Sequence, residues 1–297
     1  MRTAADGSGS VVDQVRLEIL TTGPTRTITS IDSAPPMPAV QGLVGANVAP
    51  GFRKVVATTM SGIDGSVLGL LLDDLPGAAL VSGSARIRAE IASTGALPSA
   101  LAGHLGDRPM ICIGWQHGGV MQQRALAGDP LLGQGPPAGD LQRPDDPFAW
   151  PDQPALPPHG MRRLRRIDVR VSGAEVVAET HFRDSHVDAA GAETAVHEYE
   201  VAATAPLDSL VVATVQVGAR VLPGPDCPGA VASAQRIVGE PLMTLRDLVR
   251  NELRGDTICT HLNDQLRSLA DVPALLRLLE PGRLTSDQGD RPKHPSG

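Results

Sequence analysis

The sequence has few aromatic residues, two lysines and three cysteines among its 297 residues. Aromatic side chains make up 2% of the chain, so aliphatic residues must fill the core that its 41% hydrophobic content supplies. Neither Lys54 nor Lys293 follows a glycine-rich loop, which excludes a P-loop and argues against a Schiff-base lysine. The patterns G-x-S-x-G, H-E-x-x-H and G-x-G-x-x-G are also missing, which removes three motif-based assignments of function.

Charge and hydropathy narrow the class of protein further. The net charge of -7 and the pI near 5.6 argue against a nucleic-acid-binding protein, whose binding surface would be basic. No run of 18 apolar residues occurs and the N-terminus lacks the apolar core of a signal peptide, so we expect a soluble cytoplasmic protein without a membrane partner. Cys112, Cys227 and Cys259 are odd in number and far apart, which argues against a disulfide framework. The oligomeric state stays open.

The length allows one large domain or two small ones, and proline and glycine indicate where a boundary lies. Residues 134–160 are so rich in both that neither a helix nor a central strand is expected there, and we predict a linker. This divides the chain into a β-rich N-terminal part, 11–133, and a C-terminal part, 161–280. The polar ends, 1–10 and 281–297, are predicted to be disordered tails.

Hydrophobic periodicity predicts an α+β fold. In the N-terminal part it predicts a strand at 15–20, two strands within 66–87 joined by a tight turn at 74–77, and a buried strand at 108–115. In the C-terminal part, alternation predicts an antiparallel sheet, and a helical period then takes over. The predicted strands are 165–173, 174–184, 195–203 and 209–222, and the predicted helices are 228–239, 241–255 and 260–280.

Two cysteines immediately precede predicted helices. Cys227 is followed by a proline, which favours the first helical position, and Cys259 lies just before Thr260, a residue type that caps helices. Free N–H groups at a helix start lower the pKa of a thiol, so both cysteines are expected to be poised as thiolates. If the two helix starts converge, Cys227, Cys259 and His261 supply three metal ligands. Free cysteine is also among the most buried residue types, so two packed thiols are the alternative.

Histidines and carboxylates on the predicted strands offer further candidates. His197 and Glu198 are adjacent in an apolar strand, where they can supply a ligand and a base, but only one of them is expected to face inward. His181 and His186 are five residues apart, so on a strand they face opposite sides, and neither they nor Asp184 are expected to share a site.

Other polar or reactive residues have simpler interpretations. Cys112, between isoleucines, is interpreted as core filler. Asp73 and Asp74 precede a Leu-Pro-Gly sequence and are interpreted as the start of a turn. The basic segment MRRLRR, 161–166, is interpreted as a solvated strand edge, with an anionic ligand or partner as the alternative.

The segments ETHFRDSHVD, VHEYEV, RVLPGPDCPGAVASAQRIVGEPL and CTHLNDQLRSLADVPAL, in this order, resemble the bacterial family known as domain of unknown function 2889. The resemblance covers roughly residues 25–280. It brings no settled activity with it.

A second resemblance concerns iron–sulfur cluster scaffold proteins of the IscU/SufU/NifU type. CPGAVASAQRIVGEPLMTLRDLV is similar to the helix after their central cysteine, and TICTHLNDQLRSL resembles their later cysteine. The resemblance implies that Cys227 and Cys259 are at ligand positions, with Val196 or His197 at another ligand position and Glu198 at an acidic one. No cysteine lies on that hairpin and about a third of the chain is covered, so a metal-site geometry is implied rather than an assembly function.

Three functional hypotheses follow. In the first, a zinc or iron ion makes the protein an enzyme that acts on a small organic acid or its thioester; the expected ligands are Cys227, Cys259, His261 and His197, with Glu198 or Asp264 as a base. In the second, the protein is a non-catalytic scaffold or carrier of a metal or an iron–sulfur cluster. In the third, it is a structural or interaction module with buried thiols.

Overall fold

The structure, a computed structural model, describes residues 2–3, 9–23, 25–95, 112–127, 135–141, 150 and 153–279. The predicted C-terminal tail and residues 108–111 of the predicted strand at 108–115 lie outside these ranges. Within them, none of the helices is both long and apolar enough to cross a bilayer.

Eight strands and six α-helices are described. The strands are β1 (Arg2–Thr3), β2 (Gly9–Ser10), β3 (Arg16–Thr22), β4 (Thr27–Ala34), β5 (Met161–Ser172), β6 (Glu175–Val187), β7 (Glu193–Pro206) and β8 (Thr214–Val221). The helices are α1 (Phe52–Thr59), α2 (Val67–Thr94), α3 (Val120–Ala127), α4 (Leu245–Glu252), α5 (Thr260–Ser268) and α6 (Val272–Leu279). Short 3-10 helices lie at Pro38–Leu43, Ile113–Trp115, Cys227–Ile237, Leu242–Thr244 and Leu269–Asp271.

The C-terminal part is the α+β unit that the sequence predicts. Its four strands form an antiparallel sheet in the order β5-β6-β7-β8, and the helices follow in the chain. Apolar side chains alternate along β6 and β7. The inward-facing ones, among them Phe182, Tyr199 and Val201, form one core with Leu262 and Leu266 of α5. The sheet therefore has one face toward the helices, and this face positions the candidate site.

The predicted helices are shorter and more varied than their sequence period indicates. Cys227–Ile237 is a 3-10 helix and not an α-helix. It lies close to the chain at Ile113, since a Cβ at Gly229 would be 2.6 Å from Ile113 Cδ1. The predicted helix at 260–280 is interrupted by the 3-10 turn Leu269–Asp271.

The two strands predicted within 66–87 are wrong, because this segment is part of the 28-residue helix α2. Ser66 caps the helix by accepting a hydrogen bond from the backbone N–H of Gly69 at 3.1 Å. Pro76 lies inside the helix and does not end it. The next residue, Gly77, leaves no room for a side chain, because a Cβ there would overlap Arg163 Nη1 and lie 2.7 Å from Asp264 Oδ2.

The N-terminal part differs from the expectation in other places too. The strand predicted at 15–20 is confirmed and pairs with β4, but β1 and β2 also pair within the predicted tail 1–10. Ile113–Trp115 is a 3-10 helix where a strand is predicted. In 134–160, the described residues contain no helix or strand, and an isolated bridge joins Pro137 to Thr194. The division into domains stays a prediction.

The basic segment 161–166 is not a solvated edge. Arg163 and Arg165 point toward the helices, with 7% and 4% of their side chains exposed. Arg165 donates to Asp74 at 2.6 Å, so the two aspartates interpreted as a turn lie mid-helix and form ion pairs. This network of buried charges joins α2 to the sheet.

Candidate functional site

Asp184 and His197 are brought together by a bulge between β6 and β7. Next to the hairpin turn, Val187 pairs with Glu193, and two residues further on Ser185 pairs with Ala195. The register then shifts by one residue, so that Asp184 pairs with His197. Directly opposite residues share a face of the sheet. The bulge therefore places His197, and not Val196, beside Asp184 on the helix-facing side. Glu198 points to the opposite side, as the alternation predicts.

His261 completes the cluster from the first turn of α5. Within the described residues, Asp184, His197 and His261 form the one group of three or more His, Cys, Asp or Glu side chains whose ligand atoms all lie within 4.8 Å of one another. The Asp184 carboxylate is fully buried, and the two histidines are 8% and 9% exposed. His261 Nε2 is 3.5 Å from Asp184 Oδ2, which is long for a hydrogen bond.

The two imidazole rings are stacked. The centroids of His197 and His261 are 3.5 Å apart and their planes differ by 17°. Burial lowers the pKa of His261 to about 3, and the nearby charge of Arg163 adds to this effect. The ring is therefore neutral at physiological pH and carries a lone pair for a metal ion.

Arg163 fixes the orientation of the Asp184 carboxylate. Its Nε donates to Oδ1 and its Nη2 to Oδ2, each at 2.9 Å, while its Nη1 donates to Asp264 Oδ2 at 3.0 Å. Burial raises the pKa of Asp264, but Arg267, Arg163 and other arginines outweigh burial and hold this pKa well below its usual range. Asp264, expected as a base, is thus an ionised, weakly basic member of the charge network.

Cys259 adjoins the cluster at His261. Its Sγ is 3.9 Å from His261 Nδ1. Cys259 itself is the N-cap of α5, with extended backbone angles (φ −116°, ψ 127°), and Thr260 is the first helical residue and not the cap. This geometry lets the side chains at 259 and 261 approach, although successive helical residues would point apart.

All three cysteines of the chain lie around one short segment. The backbone N–H of Ile113 donates to Ile258 O at 2.8 Å, which anchors the residue after Cys112 beside Cys259. A Cβ at Gly114 would be 3.1 Å from Cys227 Sγ and 3.8 Å from Cys112 Sγ. Cys112, interpreted as filler, packs partly buried against the core of the sheet and helices.

The thiols are not poised as thiolates. Burial raises the pKa of Cys227 to about 11 and that of Cys112 to about 12, and it also raises the pKa of the buried Cys259. Desolvation thus exceeds the stabilising effect of the helix starts on a thiolate. Neither Cys227 nor Cys259 belongs to the ligand group of Asp184, His197 and His261.

A second polar cluster lies on the opposite face of the sheet. Glu198 accepts hydrogen bonds from Arg183 at 2.8 and 3.0 Å and lies 2.9 Å from His181 Nε2, whose ring contacts Trp150 edge-on. Burial opposes ionisation of Glu198, but His181 and Arg183 outweigh it and lower the pKa to about 2. Glu198 is therefore a weak base on the side away from His261. His186 lies elsewhere, 6.3 Å in ring-centroid distance from His159.

Asp184 and Arg163 are the residues that sequence reasoning did not assign to the site. Asp184 lies within the predicted strand 174–184, whereas Arg163 precedes the predicted strand 165–173 by two residues. Their partners come from another strand and from α5. The signal that could have identified Asp184 is its place near the end of a predicted hairpin opposite VHEYEV, where pairing outward from the turn brings it within one residue of His197.

Residues 161–275 match the family model described as Protein of unknown function (DUF2889). This span is narrower than residues 25–280, and it contains the whole Asp184, His197 and His261 cluster. No curated protein matches the chain. No solved structure matches it either, so the similarity to IscU/SufU/NifU-type scaffolds stays a prediction. The family match is therefore confined to the C-terminal α+β unit, residues 161–275.

Proposed function

We propose that the protein binds a divalent transition-metal ion through His197, His261 and Asp184, and that this ion makes it a metal-dependent enzyme. The observation that carries the proposal is the approach of these three ligand atoms to within 4.8 Å of one another in a buried setting. Two histidines and one carboxylate are a ligand set used by zinc enzymes and by non-haem iron enzymes.

The protonation and orientation of the ligands support this proposal. His261 is neutral, so no proton must leave its ring before an ion binds. Arg163 holds Asp184 through two hydrogen bonds, in the way that outer partners orient metal-ligating carboxylates. The two stacked rings have to tilt toward each other for their lone pairs to meet at one ion.

Three protein ligands leave a coordination position for water or a substrate oxygen, which a bound ion would activate or polarise. We propose a small organic acid or its thioester as the substrate class. The unpaired thiols, with no disulfide among Cys112, Cys227 and Cys259, fit a reducing compartment such as the cytoplasm.

The convergence of the three cysteines favours a second candidate function. A non-catalytic carrier of a metal ion or an iron–sulfur cluster would use thiolates, and Cys259 lies next to His261 while Cys112 and Cys227 flank Gly114. In that case the cysteines hold the ion or cluster, and Asp184 and His197 do not.

Elemental analysis after purification without chelators tests the proposal. We expect zinc or iron at about one ion per chain, lost in His197→Ala and in Asp184→Asn and retained in Cys227→Ser and Cys259→Ser. Cobalt substitution adds a second readout, since thiolate ligands give a charge-transfer absorption that histidine and aspartate ligands do not.

The two candidates predict opposite results in this experiment. If the serine variants lose the ion while His197→Ala keeps it, the carrier is supported and the His/Asp site is wrong. If no variant and no parent sample holds or takes up an ion, the protein is a structural module with buried thiols.

A further inference from the structure

A cleft of about 710 Å³ lies between α1 and α2 on one side and α4 and α6 on the other. Its floor is Asp73, surrounded by three arginines. The Asp73 carboxylate is 2.9 Å from Arg53 Nε, 2.7 Å from Arg267 Nη2 and 3.7 Å from Arg246 Nη1. Asp73 thus contacts three guanidinium groups at the base of an open space, and these groups also pair with Asp264 or Asp271.

Two of these arginines have an N–H donor without a hydrogen-bond acceptor among the described residues. Arg246 Nη1 and Arg267 Nε are buried and make no hydrogen bond to any residue that the structure describes. The side chain of Arg267 is 8% exposed and fixed by ion pairs to Asp73 and Asp264, so its spare donor cannot simply turn toward water. Leaving a buried charged donor without an acceptor is costly. The side chain of Arg246 is 21% exposed, so a small rotation would bring its Nη1 to an anionic oxygen in the cleft and remove that cost.

The other walls of the cleft carry apolar side chains next to the charged residues Asp64, Asp247, Arg250, Asp271 and Arg277. Val56, Met60 and Leu72 form one side, and Met243 faces the space from the other. The apolar side chains suit the hydrocarbon part of a ligand, while the arginines suit its charged end.

We propose that this cleft binds a small organic molecule with one anionic group, a carboxylate or a phosphate, placed against Arg246 and Arg267, and an apolar body against Val56, Met60 and Met243. The site is separate from His197 and His261, and binding in it needs no metal ion.

Calorimetric titration of chelator-treated protein tests this inference without any assay of activity. Three probes have six carbon atoms each and differ at one end: hexanoate, hexyl phosphate and hexylammonium. We expect saturable binding of hexanoate or hexyl phosphate with one site per chain, and none of hexylammonium. The stronger of the two anions identifies whether the natural group is a carboxylate or a phosphate.

Two variants locate the site. Arg246→Gln is expected to weaken binding of the anion about tenfold, since a charge-assisted hydrogen bond is lost. Ala57→Trp fills the exposed mouth of the cleft and should abolish binding, whereas Thr58→Trp, on the adjacent residue that does not line the cleft, should leave it unchanged. Equal affinity of parent and Ala57→Trp, equal binding of hexylammonium, or no binding of either anion would overturn the inference.

Discussion

Asp184 on β6 lies directly opposite His197 on β7 because of a one-residue bulge in the hairpin that joins them. Without the shift, Val196 would take that place. The same face of the sheet receives His261 from α5, whose ring stacks on His197. One extra residue in a strand therefore decides whether two potential ligands meet, and the proposed metal site depends on it.

Arg163 should be far more important for stability than an exposed arginine of the same strand. In Arg163→Gln, the buried carboxylates of Asp184 and Asp264 lose their shared partner, and breaking such a buried pair costs about 3–5 kcal/mol. Arg170→Gln removes an exposed pair with Glu179 and should cost less than about 1 kcal/mol. Urea unfolding of both variants measures the difference. Equal losses would show that the buried network does not stabilise the fold.

Gly77→Ala should destabilise the protein although alanine is the better helix former. The gain from helix propensity is about 1 kcal/mol, but the new Cβ would displace Arg163 Nη1 from Asp264. Gly83→Ala in the same helix is the matched control, since its Cβ meets only the end of the Arg26 side chain, at 3.1 Å. We expect a lower melting temperature for the first variant and an unchanged or higher one for the second. A more stable Gly77→Ala protein would mean that the packing of α2 on Arg163 is not as described.

Glu198 should stabilise the fold at neutral pH and cease to do so in acid. Its folded pKa of about 2 is below the ordinary value of 4.5, so its contribution is present above about pH 4.5 and is lost as the pH falls toward 2. Glu198→Gln should therefore be less stable than the parent at pH 7, by about 1.5–3 kcal/mol. Denaturation across this pH range measures the difference, which should shrink as the pH falls. A difference that stays constant with pH would contradict the ion-paired state of Glu198.

The cysteines should react slowly in the native state. Cys227 and Cys259 are buried with raised pKa values, so little thiolate is available to attack a disulfide reagent. We expect a thiol-reactive chromogenic disulfide to modify them within minutes in guanidinium chloride and much more slowly in native buffer at pH 8. Rapid native modification of both residues would show that they are accessible thiolates, as the helix-start argument alone predicts.

Local patterns predicted the sheet but not the helix α2. Alternation in β5, β6 and β7 is a local property, and the strands fall where it predicts them. In 66–87, Pro76 and Gly77 were assigned to a turn, because a Pro-Gly pair usually marks one. Here Gly77 makes room for the side chain of Arg163, about 90 residues away in sequence, and no local rule includes that contact.

The candidate site could be predicted only in part, because some of its contacts are also long-range. Strand alternation predicts that only one of His197 and Glu198 faces inward, without saying which. The placement of Cys259 near His261 follows from a non-helical residue at the helix start. The choice of Asp184 over the cysteines as third member of the cluster depends on a register shift. The burial of Arg163 and Arg165 depends on aspartates from α2, β6 and α5. Such long-range pairings are properties of the folded chain.

The metal content of His261→Ala, compared with that of His181→Ala, tests the central claim most directly. His261 packs beside Asp184 on the helix-facing side of the sheet, whereas His181 contacts Glu198 on the opposite side. Both variants should keep the fold, as judged by circular dichroism and melting temperature. We predict that His261→Ala loses the bound ion and that His181→Ala retains about one per chain. Full metal occupancy in a folded His261→Ala protein would contradict the account.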